Sequence, residues 1–192
     1  MSSKFFPCGF GLAVTTVVLS ATALLAQDVV TLRDLEGHKV SATIVKAQVV
    51  RRANREVTTR HENSVTLVFE PQGRLTTNVK NIVHGPKGMR PGEDFTANHA
   101  IQRPSAMKAR GGGAGVHVFE NGTLTLMRTY ATGGFMRKFE FKRTPGGFEC
   151  TATETHAREN GKGEIRLKSS TDGEMVTIVS SKQIDSSCKV TK

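Results

Sequence analysis

The chain has 192 residues, with 27 basic and 17 acidic side chains and a formal net charge of +10, long enough for one domain with a sizeable core. The charge favours anionic partners. Tryptophan is absent and Tyr130 is the only tyrosine, which argues against the exposed stacking platforms used for single-stranded nucleic acid or neutral sugars.

The first residues read MSSKFFPCGFGLAVTTVVLSATALLAQD. Lys4 supplies a positive charge, an uncharged run follows from Phe5, and small residues close it, which is the order of a secretory signal peptide. Cleavage is expected after Ala26, with Ala23 as second choice, so residues 1–26 are the signal and 27–192 the mature domain. The rival is a retained anchor, because the run nearly reaches the ~20 residues of a spanning helix, although Thr, Ser, Gly and Pro dilute it. Cleavage leaves no transmembrane span. It also leaves Cys150 and Cys188, an even pair that in an exported chain reads as a disulfide.

HKVSATIVKAQVV is rich in β-branched residues, and SVTLVFE sets Val65, Leu67 and Phe69 against Thr66 and Val68. Between them RRANREVTTRHEN reads as a charged strand end, a wide hairpin loop, or both. RLTTNVKNIV is a further strand. From Gly85 to Gly115 the composition changes to glycine, proline and basic residues. That stretch is expected to be a flexible, irregular segment with at most a short helical turn near 94–101.

The second half is more regular. GVHVFENGTLTLMRTY is two alternating runs around Asn121-Gly122, a strong hairpin signal. FMRKFEFKR puts Phe135, Phe139 and Phe141 on one face and Met136, Lys138, Glu140 and Lys142 on the other, as a half-buried antiparallel strand requires. Further turns at Asn160-Gly161 and Asp172-Gly173 bracket KGEIRLKSST. The expected fold is all-β, an antiparallel meander forming a sandwich or barrel of about 8 to 10 strands.

Motifs of catalysis are scarce. RGGGAGV lacks the lysine and hydroxyl residue that end a phosphate-binding loop. There is no nucleophile elbow and no zinc-protease helix, and the six histidines are scattered. No cofactor is expected. In FECTATETHARENG an extended strand turns Cys150, Ala152, Glu154 and His156 to one side. Cys150 and His156 would stand roughly 20 Å apart at ~3.3 Å per residue, too far to share one ion. Glu154 and His156 remain as half of a metal site, against the simpler reading of a solvated strand end. Cys150, beyond Phe148 on the same face, turns inward toward a partner such as Cys188. Candidate anion-binding residues are Arg51, Arg52 and Arg55, with Lys138, Lys142 and Arg143.

DLEGHKV, FENGTLTLMRTYATGGF, FECTA and SSCKV together resemble an uncharacterised group of small secreted β-rich proteins of alphaproteobacteria. The resemblance implies a periplasmic or secreted location and no particular activity. The expected function is a non-enzymatic exported β-domain binding an anionic cell-envelope component: polysaccharide, lipid headgroup or envelope protein. The alternatives are a lipocalin-like barrel carrying a small apolar ligand, and an envelope hydrolase or metal enzyme using Glu154 and His156.

Overall fold

The computed structural model describes residues 29–92, 94–102, 115–130, 133–158, 165–168 and 174–192. The signal segment and the turns at Asn160-Gly161 and Asp172-Gly173 lie outside them. A short helix, α1 (Leu32–Leu35), precedes strands β1 (Lys39–Arg52), β2 (Arg55–Glu70), β3 (Arg74–Gly85), β4 (Gly88–Pro91), β5 (Phe95–Ala100), β6 (Gly115–Glu120), β7 (Thr123–Tyr130), β8 (Gly133–Thr144), β9 (Gly147–Arg158), β10 (Ile165–Lys168) and β11 (Met175–Thr191). The fold is all-β and sandwich-like. One sheet runs β10-β11-β1-β2-β3-β4, with β5 also pairing β3, and the other runs β6-β7-β8-β9. Every pairing within the sheets is antiparallel.

Two-residue turns set the registers. Asn121 (φ 49°) and Gly122 (φ 73°) both sit in the left-handed region, as the hairpin signal requires. Gly122 is constrained a second time: a Cβ there would meet the Phe141 carbonyl oxygen at 3.1 Å. The charged stretch between β1 and β2 is not a wide loop. The strands stay paired out to Arg52 and Arg55, and Ala53 (φ 42°) and Asn54 (φ 64°) turn the chain.

The Gly85–Gly115 segment corrects the expectation most clearly. Residues 88–91 and 95–100 are strands, not an irregular coil or helical turn, and both lie along the same edge of β3. Pro91 ends its short edge strand, where a missing N–H is harmless. Residues 103–114 lie outside the described residues.

The sheets approach each other at both sides without a continuous ladder, and no closed barrel is present among the described residues. On one side the Gln102 N–H donates to the His117 carbonyl at 2.7 Å. On the other, the Cys150–Cys188 disulfide joins β9 to β11, with Cα atoms 5.5 Å apart. There the Gln183 side chain replaces a neighbouring strand: its Oε1 accepts from the Glu154 N–H at 2.6 Å and its Nε2 donates to the Ala152 carbonyl at 3.3 Å. The β1–β11 register slips between Lys46 and Val45, leaving Ile184 as the extra residue of β11. A bulge of this kind re-aims the side chains beside it.

The core fills one end of the sandwich. Val40, Ala42 and Ile44 of β1 meet Val65, Leu67 and Phe69 of β2, with Leu124, Phe139, Phe141 and Ala152 from the other sheet. Helix α1 covers that end with fully buried Leu35. Its Asp34 carboxylate accepts from the Thr31 N–H at 2.8 Å and pairs with Arg143 at 2.9 Å.

Candidate functional site

Beyond Ile44 the same inward faces change character. On β1 the inward residues continue as Lys46 and Gln48, on β2 as Asn63 and His61, and on β8 and β9 as Arg137 and Glu154. Polar groups in interior positions must be paired or solvated, since an unmet polar group costs about 1–3 kcal/mol. Some of these are paired and others face a cavity.

The paired set is an ion cluster that links the sheets. Glu154 is 6 % exposed and Lys46 7 %. Lys46 Nζ donates to Glu154 Oε1, and Arg137 Nε donates to Glu154 Oε2, so both carboxylate oxygens carry a cation. Lys46 Nζ also lies 4.5 Å from the centre of the Phe135 ring. Burial pushes the Glu154 carboxyl up, but the charges and hydrogen bonds of Lys46 and Arg137 outweigh it and hold the group below the usual carboxylate range. Burial, aided by Arg137, draws the Lys46 ammonium down against the pull of Glu154.

The cavity beside this cluster is about 450 Å³ and partly open, within the range of small-molecule sites. Its described walls include Lys46, Arg128 and Arg137, the imidazoles of His61, His99 and His117, and no carboxylate. Apolar patches from Phe95, Leu126, Phe135 and Ile178 separate the polar groups. Among the described residues, the buried polar atoms of the lining that have no hydrogen-bond partner in the protein include Asn63 Nδ2, Thr77 Oγ1 and His117 Nδ1. Asn63 is 2 % exposed and Thr77 1 %.

His117 stacks on His99 with ring centroids 4.0 Å apart. Burial, then the neighbouring His99, lowers His117 to about 4. Burial, then the charge of Lys46, lowers His61 to about 4, with Arg90 acting in the same direction and Asn81 and Glu154 opposing. Both rings are therefore neutral at pH 7, and the unfolded chain binds their protons more readily than the folded one. Stability is complete above pH 6.5, declines as pH falls from there, and the loss levels off below about 4. At pH 5, with partial solvent access discounted, the two together should remove about 2 kcal/mol. Asp34, Glu70 and Glu154 are all held below their ordinary values, so their contributions are lost only at lower pH. A urea midpoint at pH 5 equal to that at pH 7 would show that these imidazoles are not held neutral.

Glu154 is therefore not at a solvated strand end, as its polarity suggested. A partner contributed by β1, 108 residues away, takes it inside. His156 stacks on Phe135 at 5.6 Å, and Glu154 has both oxygens engaged. Among the described residues no group of three His, Cys, Asp or Glu side chains is placed to hold a metal. The surface cations are not gathered into one patch. Arg51, Arg52 and Arg55 sit around the β1–β2 turn, where Arg51 bonds Glu56 at 2.7 Å. Lys138 and Lys142 alternate with the inward phenylalanines of β8, and Arg143 lies with Asp34 at the α1 end. Arg128 and Arg137, which do line the cavity, had a sequence signal: Arg137 has the same parity as Phe135, Phe139 and Phe141.

Comparison with protein-family models, curated proteins and solved structures found no match. Among the described residues no helix is long and apolar enough to cross a membrane. The disulfide fits an oxidising compartment.

Proposed function

We propose that the chain is an exported, non-enzymatic binding domain whose ligand is a small molecule held between the two sheets. The observation that carries this reading is the 450 Å³ cavity onto which buried, unpartnered polar atoms converge. A packed sandwich would fill that space with apolar side chains, as this one does at its α1 end. The signal-like N-terminus and the disulfide support export to the periplasm or beyond. The cavity distinguishes this reading from attachment of envelope polysaccharide or lipid through the separated surface arginines and lysines. The double ion pairing of Glu154 leaves it poorly suited to work as a hydrolytic acid or base.

Two fluorescent naphthalene probes test the cavity: the neutral N-phenyl-1-naphthylamine and its sulfonated counterpart 1-anilinonaphthalene-8-sulfonate. At least one should bind saturably with one-to-one stoichiometry. Ala97→Phe, which places a ring into the cavity wall on β5, should weaken that binding more than tenfold while circular dichroism stays unchanged. Absence of saturable binding by either probe, or binding indifferent to Ala97→Phe, would overturn the proposal.

A further inference from the structure

The chemical class of the ligand can be taken further, and this step rests on the cavity reading above. Lys46, Arg128 and Arg137 present cationic groups to the space, whereas Glu154, the carboxylate that neutralises part of this charge, is not among the lining residues. An ammonium has three donors and a guanidinium five. One hydrogen bond from each to Glu154 leaves further donors on Lys46 and Arg137. The Asn63 amide adds a buried donor without a partner, from a residue that neighbours Lys46 diagonally across β1 and β2. Phe95, Leu126 and Phe135 supply apolar wall.

A neutral apolar ligand would leave these buried donors unmet, and a cation would face three like charges. We infer that the site takes an amphipathic organic anion: an acid group (carboxylate, sulfonate or phosphate monoester) among Lys46, Arg137 and Asn63, and an aromatic or branched apolar body against the phenylalanines. Glu154 holds the two cations in position from behind and offsets only one of their charges. The site therefore keeps a positive surplus where a ligand's acid group would lie. Charge-assisted bonds are about twice as strong as neutral ones, so discrimination by charge should be large.

The two probes share the naphthyl and phenyl rings and differ by the sulfonate, so their affinities compare the acid group directly. The sulfonated probe should bind at least tenfold more tightly than the neutral one at pH 7. Lys46→Met should remove most of that preference. Should Lys46→Met fail to fold, Arg128→Met, outside the ion cluster, should reduce the preference severalfold. Equal or tighter binding of the neutral probe, or a preference unchanged in the folded variant, would overturn the anionic class while leaving the cavity reading intact. If neither probe binds saturably, the cavity reading itself fails. The three outcomes are distinguishable in one titration series.

Discussion

Replacing Glu154 by alanine is expected to lower stability by about 3–5 kcal/mol, because it leaves two cations in the interior without their counter-ion. Lys46 and Arg137 come from different sheets and meet only at this carboxylate. Without it, each must be desolvated unpaired, lose its proton or drag water between the sheets. A Coulomb estimate for the intact pairs would not give this number, since the cost of burying all three charges offsets much of their attraction. A triple substitution, Lys46→Met, Arg137→Met and Glu154→Leu, separates the two ideas. It removes every charge and keeps roughly the same volume, so it should be near neutral or more stable than the single variant by several kcal/mol. Urea unfolding at pH 7 provides the comparison. A loss below about 1 kcal/mol for Glu154→Ala would mean the cluster is hydrated in solution. A triple variant as unstable as the single one would mean the cluster contributes more than its own charge balance.

That carboxylate also marks the limit of what strand alternation reports. Alternation placed Phe135, Phe139 and Phe141 inward, and the structure agrees; the same alternation places Arg137 inward. Cys150 and Ala152 carry Glu154 with them in the same way, as Val40, Ala42 and Ile44 carry Lys46. Parity was readable throughout, but an inward charge is affordable only with a partner, and the partners lie 17 and 108 residues away from Glu154. No local pattern reports such a pairing, so polarity alone reads as exposure. A polar residue in phase with a run of apolar ones was the available signal, and three elements gave it at once. The hairpin at Asn121-Gly122 was legible because its cause is local: two consecutive positive-φ positions need those residue types. β4 and β5 were hidden for the opposite reason. Their residues are glycine- and proline-rich or mixed in polarity, and pairing with the edge of β3 makes them strands. The cavity had no sequence signature of its own, since it is the difference between two facing surfaces.

Removing the disulfide by Cys150→Ala with Cys188→Ala is expected to cost about 4 kcal/mol. A crosslink spanning 38 residues removes that much loop-closure freedom from the unfolded chain in the entropy model. The location gives the loss a definite pattern. The ladders from β10 to β3 and from β6 to β9 are continuous, whereas β9 and β11 share no named ladder and meet through the disulfide and the Gln183 side chain. Cutting the covalent link should therefore open this seam before either sheet unravels. Hydrogen exchange should speed up first at β9 and the C-terminal half of β11, with the hairpin at Asn121-Gly122 still protected. Adding Gln183→Ala to the cysteine-free variant removes a second bridge, so its cost should exceed that of Gln183→Ala in the oxidised protein. Equal costs in the two backgrounds would mean that the side chain and the disulfide do not act on one seam. An unchanged urea midpoint after cysteine removal would show that packing between Phe139, Phe141 and the opposite sheet holds the sandwich closed without the crosslink.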